Sequence, residues 1–164
     1  MRLSNKSKTV RYQFLYNFLM FILVLGVGFF LIDFFLLERL GWKDYFLLGI
    51  PFILVFLFLK RGRQIFEYDS DGEVLNITNR SVMPFMSKDL RDEFPKYKLM
   101  EFYFTNILFS KNLYMIISSK KKGEIRLKYD VSYLTKKEIK DLKTSLNRVI
   151  KNNKENQKIN EQQK

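Results

Sequence analysis

Two apolar runs, 14–37 and 45–59, fill most of the first 60 residues, with only Glu38-Arg39-Leu40-Gly41-Trp42-Lys43-Asp44 between them. The first run is broken before Ile32 by one strongly polar residue, Asn17, and resumes after Asp33. It exceeds the ~20 residues that a helix needs to cross a bilayer core. The second run alone covers about 22 Å at helical rise. Its flanks extend it: Trp42 and Tyr45 suit one interface, and Lys60, Arg61 and Arg63 reach from the other with their charges in water. Pro51 lacks an amide and frees a carbonyl within the second run, which a membrane helix tolerates when a neighbouring helix covers it. A seven-residue connection makes the first run that neighbour, in an antiparallel helical hairpin.

Basic residues near a span stay on the cytoplasmic side. Arg2, Lys6, Lys8 and Arg11 precede the first run and Lys60, Arg61 and Arg63 follow the second, whereas the intervening Arg39 and Lys43 are offset by Glu38 and Asp44. The expectation is a multi-pass protein of the cell membrane with both termini cytoplasmic, and with Arg11, Trp42, Lys60, Arg61 and Arg63 at the interfaces. A cleaved signal peptide fits less well, because the apolar part is longer than a signal h-region and lacks a small-residue cleavage site. Asp33 is the one acidic residue inside a span, and intramembrane carboxylates are functional candidates.

Cysteine and histidine are both absent. That removes disulfides, thiolate nucleophiles, imidazole bases and the commonest metal ligands. No cofactor or metal site is expected, and no phosphate-cradling glycine loop or nucleophile–base motif points to an enzyme. The net charge of +12 divides unevenly: +5 over residues 1–61, −1 over 62–119 and +8 over 120–164. At a membrane, such basic ends meet the anionic inner leaflet, where each positive group contributes about 1 kcal/mol. Lys120, Lys121 and Lys122 concentrate this charge in one turn and are candidates for lipid or partner contact. Tyr103, Tyr114 and Tyr129 read as strand aromatics rather than base-stacking platforms, so nucleic acid is not an expected partner.

After the second run the pattern turns to strand. Ile65-Phe66-Glu67-Tyr68 and Glu73-Val74-Leu75-Asn76-Ile77-Thr78 flank Asp69-Ser70-Asp71-Gly72, a hairpin signal. The turn is no calcium loop: its glycine is fourth instead of sixth, and Arg80 stands where the twelfth-position Glu belongs. Residues 80–97 suggest a strand through Val82-Met83-Pro84-Phe85-Met86 and then a charged loop. Three period-two segments follow, with Met100/Phe102/Phe104, Leu113/Met115/Ile117 and Ile125/Leu127/Tyr129 on one face; Ser110-Lys111-Asn112 and Lys120-Lys121-Lys122-Gly123 supply the turns. Thr135 and Glu138 form a capping box opening an amphipathic helix on Ile139, Leu142, Leu146, Val149 and Ile150. Residues 151–164, with Ile159 alone apolar, are expected to be a disordered polar tail.

The expected fold is therefore a membrane α-helical hairpin followed by an α+β domain, an antiparallel sheet or partly open barrel of six or seven strands closed by one C-terminal helix. Its segments are a basic cytoplasmic N-terminus over 1–13, transmembrane helices over 14–37 and 45–60, an extracytoplasmic loop over 38–44, the domain over 61–150 and the tail. This order of elements resembles the bacterial membrane proteins that carry two transmembrane helices and a cytoplasmic pleckstrin-homology-like (PH-like) domain. The resemblance rests on the two runs, the turn at Asp69-Ser70-Asp71-Gly72 and the helix opening Leu134-Thr135-Lys136-Lys137-Glu138. It implies a scaffold more than an activity, and the C-terminal-helix tryptophan of many eukaryotic PH domains is missing, the single Trp being Trp42. The expected function is a membrane-anchored interaction or scaffold module with an unidentified protein partner or a second copy of itself. A subunit of an oligomeric transporter or channel, carried by Asp33, Pro51 and Gly26-Val27-Gly28, is the alternative; a membrane-bound enzyme is the third reading.

Overall fold

The computed structural model describes residues 1–37, 41–83, 88–119 and 123–162. Two compact units emerge: Val10–Gly62, and Met1–Thr9 together with Arg63–Lys164.

The first unit is helical. From a 3-10 turn at Lys6–Lys8, which belongs to the other unit, the chain enters α1 (Thr9–Ile32), which continues as a π-helical turn over Asp33–Leu37, and α2 spans Trp42–Lys60. Among the described residues one helix is long and apolar enough to cross a membrane, Lys6–Leu36 at 31 residues; the apolar part of α2, Tyr45–Lys60, is shorter. The two run antiparallel, since Tyr16 meets Phe58 near one end and Phe30 meets Tyr45 near the other, each pair with ring centres 6.0 Å apart. Gly62, at φ 91°, ends α2 in the left-handed conformation that glycine adopts without strain, its amide donating to the Leu59 carbonyl.

Among the described residues the second unit holds seven antiparallel strands in two sheets and a C-terminal helix, an α+β fold. One sheet has the order β1 (Arg2–Ser4), β2 (Ile65–Asp69), β3 (Val74–Arg80), β4 (Leu90–Pro95); the other is a meander of β5 (Leu99–Ile107), β6 (Ser110–Ser119) and β7 (Gly123–Asp130). The helix, α3, spans Lys136–Gln162. Phe66, Tyr68, Leu75 and Ile77 of the first sheet, Leu113, Met115 and Tyr129 of the second, and Leu142, Leu146 and Val149 of α3 form one core. Each such large apolar side chain contributes about 1.5–3 kcal/mol when fully buried.

Several expectations need correction. The helical segment does not precede the β-rich unit; it is inserted between that unit's first two strands. Arg2, Leu3 and Ser4 pair with Asp69, Tyr68 and Glu67, and Leu3 is buried in the core, so the first residues are not merely a basic N-terminus. The strand of the 80–97 segment lies at Leu90–Pro95, where a loop was expected. Its inward positions are Leu90, Asp92 and Phe94, and the charged one hides the alternation; an edge strand tolerates it because Asp92 accepts a 2.8 Å bond from the Tyr129 hydroxyl.

The β5–β6 turn is Leu108-Phe109, not Ser110-Lys111-Asn112, which belong to β6. A register shift between Leu99 and Glu101 turns Met100 out to solvent while Phe102 and Phe104 pack on the core. α3 continues through most of the expected tail because Asn153 donates to the Lys96 and Leu99 carbonyls at 2.7 and 3.0 Å, a polar extension of the apolar stripe. Residues 84–87 of the expected Met/Phe strand, 38–40 of the interhelical loop and the Lys120-Lys121-Lys122 turn lie outside the described residues.

Candidate membrane-anchoring site

Within Val10–Gly62 the packing centre is Gly26, the buried residue of α1. A Cβ at this position would meet the Leu47 carbonyl oxygen at 2.5 Å and the Pro51 ring at 3.5 Å. Pro51 provides no amide for the Leu47 carbonyl, so glycine's bare backbone covers the group that proline leaves without its helical partner. Beside this contact runs an apolar groove of about 580 Å³ lined by Ile22, Leu25, Phe29, Phe46 and Ile50, with Lys43 at its rim. Phe14, Phe21, Val24, Phe29, Phe52 and Phe56 stand exposed on the two helices, an apolar surface far beyond scattered single residues. Asp33 opens the π-helical turn, is half-buried and does not line the groove.

The other unit clamps the two chain segments that connect to these helices. Asn5 is fully buried: its Nδ2 donates to the Gln64 carbonyl and its Oδ1 accepts from the Phe66 amide, both at 2.8 Å. Gln64 is itself buried, and its Oε1 accepts from the Ser81 hydroxyl and the Val82 amide at 3.0 Å. Asn79 continues the inward series Leu75, Ile77 on β3 and joins the two sheets, donating to the Ile65 and Asp130 carbonyls and accepting from the Asp130 amide. Arg63, the first residue of the returning chain, holds Asp130 at 3.1 Å through its guanidinium.

Lys8 holds Glu138 at 2.8 and 3.1 Å, joining the departing chain to the first turn of α3. The capping box expected there is formed: Glu138 accepts from the Thr135 amide at 2.6 Å, and the Glu138 amide donates to Thr135 Oγ1 at 3.2 Å. Partial burial works to raise the Glu138 pKa, but the Lys8 ammonium and the Thr135 bonds outweigh it and hold the carboxyl below its ordinary value.

Of the interface candidates, Arg11, Trp42 and Lys60 are exposed on the helices and Arg61 in the turn that follows α2. The Trp42 ring stands edge-on to Phe46 with centres 5.6 Å apart, and the Lys60 ammonium lies 5.5 Å from the centre of the Phe56 ring. Arg63 is placed differently, drawn into the fold by Asp130 and by the Lys88 carbonyl. Lys120, Lys121 and Lys122 fall outside the described residues. Asn5, Asn79 and Asp130 were not singled out by the sequence, and Lys8 only as one of the basic residues before the first run. Asn79 alone had a local signal, a polar residue at an inward strand position.

The outward face of the β5–β7 sheet carries Tyr103 and Tyr114, stacked with centres 5.0 Å apart and planes 11° from parallel, with Arg126 5.9 Å from the Tyr103 ring centre. Tyr129 faces the core instead, where burial and its bond to Asp92 push its hydroxyl pKa well up. Two clefts flank α3, one of about 420 Å³ around Tyr97, Met100 and Asn153 and one of about 370 Å³ around Ser70, Glu73 and Arg148, and neither pairs two carboxylates. Among the described residues no cluster of three acidic side chains is placed to hold a metal ion. Comparison with protein-family models, with curated proteins and with solved structures finds no match.

Proposed function

We propose that this chain is a membrane-anchored, non-enzymatic interaction module, in which α1 and α2 form a two-span hairpin and hold a PH-like unit at the inner leaflet. The observation carrying this reading is the pairing of β1 with β2. The chain leaves the β-rich unit at Thr9 and re-enters it at Arg63, so both flanks of the apolar segment belong to one folded body. If α1 crosses the bilayer, α2 has to bring the chain back. Its 19 residues reach about 28 Å, close to the ~30 Å hydrocarbon thickness, and Lys60 and Arg61 extend it by snorkelling. Cleavage of α1 as a signal sequence would discard β1, Leu3 and Asn5 from the core, which favours retention.

Seven strands closed by a C-terminal helix agree with the element order of a PH-like domain, with the hairpin inserted after the first strand. Tethering such a unit concentrates it at the membrane, to the millimolar range for a short linker. The solvent-facing Tyr103–Tyr114–Arg126 surface suits a protein partner, since interfaces favour Tyr and Arg anchors. The groove beside Gly26 is apolar throughout except for Lys43, which favours packing against lipid or another helix over an ion path.

In-cell crosslinking of the full chain, compared with a chain ending at residue 62, tests the reading. Partners lost on truncation support recruitment by the β-rich unit. An unchanged partner set would assign assembly to the helices and overturn it.

A further inference from the structure

The β5–β6 hairpin breaks the usual rule for a solvent-exposed turn. Ile107 pairs with Ser110 across a two-residue connection, Leu108-Phe109, and the three apolar residues are 59%, 93% and 63% exposed. Leu108 sits at φ 49°, in the left-handed region that Asn or Gly ordinarily occupies in such turns. Local rules are broken in natural folds mainly where function is served.

The tip also has a defined place within its unit. Asn79 bonds Asp130, Asp130 pairs with Asn112, and Asn112 with Thr105; both strands then run on for two more residues to the turn. Arg63 and its ion pair with Asp130 lie at this end, as does Asn5 on the Gln64 carbonyl. The tip therefore projects, by roughly 10 Å at strand rise, from the same end at which the chain departs toward α1 and returns from α2. Lys6 adjoins Asn5, Lys111 lies on β6 one residue from the start of that strand, and Lys136 and Lys137 lie in the same turn of α3 as Glu138, while the carboxylates Asp130 and Glu138 are paired with Arg63 and Lys8.

We propose that Ile107, Leu108 and Phe109 insert into the interface of an anionic bilayer and form a second membrane contact besides the helices. This rests on the reading of residues 10–62 as a membrane anchor. Apolar tips buried at headgroup depth and basic residues around them are the two elements of interfacial binding.

The chain contains no cysteine, so single-cysteine variants of the full-length protein label uniquely. Leu108→Cys, Phe21→Cys and Glu73→Cys, the last in the turn at the opposite end of the unit, are each coupled to an environment-sensitive fluorophore. They are reconstituted in phosphatidylglycerol–phosphatidylcholine vesicles with and without a mixture of lipids spin-labelled near the headgroup and deep in the acyl chain. The labels at 108 and 21 are expected to lose most of their emission to the spin label, and the label at 73 to keep it. Quenching at 21 without quenching at 108 would overturn the tip contact and leave the anchor standing; quenching at neither would remove both. A blue shift at 108 without quenching would place the tip against protein and overturn the proposal. Equal quenching in phosphatidylcholine alone would overturn the preference for anionic lipid.

Discussion

Gly26 of α1 lies against the carbonyl oxygen of Leu47, the one backbone acceptor of α2 whose helical donor is missing because residue 51 is proline. A helix breaker on one helix and a helix-weakening glycine on the other are thus two halves of one contact.

Replacing Gly26 with Ala drives a Cβ into a backbone atom that cannot rotate away, so the helices must separate. The expected loss is about 1–3 kcal/mol, read as a lower unfolding midpoint in detergent. Gly28→Ala is the control: its Cβ meets nothing within 4 Å, and it should hold or slightly raise the midpoint through better helix propensity.

Asn5→Ala removes the two buried hydrogen bonds that its side chain makes to the Gln64 carbonyl and the Phe66 amide. Losing two buried hydrogen bonds costs about 1–3 kcal/mol, measurable by denaturant titration of the protein in micelles. Asn76, exposed on β3, should change stability by less than about 0.5 kcal/mol on the same substitution.

Glu138 joins the cap of α3 to Lys8, and its folded pKa lies below the unfolded one. Its contribution is therefore complete above the unfolded value and disappears as pH falls through the lowered folded value. Stability followed from about pH 6 to about pH 3 should show this loss. Glu138→Gln should be about 1–2 kcal/mol less stable at neutral pH and flatter across that window. Lys8→Met should lose the ion pair and keep the cap.

Leu108→Gly relieves a left-handed backbone at a side chain that packs on no other part of the β-rich unit. The variant should be more stable by about 1 kcal/mol, a gain that thermal unfolding in micelles detects. An unchanged or lower midpoint would mean that Leu108 makes a stabilising contact with the micelle or within the protein.

Much of this was visible in local pattern. The Thr135–Glu138 capping box, the hairpin around Gly72 and the alternation of β6 and β7 stand where the sequence put them, because each depends on residues a few positions apart. The need to cover a carbonyl freed by Pro51 was legible as well; that Gly26 covers it was not. β1 is not legible because Arg2-Leu3-Ser4 has no strand signal of its own and pairs with residues more than sixty positions away. β4 was disguised by Asp92, whose inward carboxylate is acceptable only because Tyr129 reaches it from the other sheet. The far half of α3 looked too polar to order until Asn153 met the carbonyls of Lys96 and Leu99.

By itself, then, the sequence determined what short-range chemistry can determine: two apolar helical runs, alternating strands and a capped amphipathic helix. Only the tertiary structure decided that the helices interrupt the β-rich unit instead of leading it. That choice depends on burying Leu3 and satisfying Asn5 across a gap of about sixty residues, and no local propensity records the free energy of such a closure.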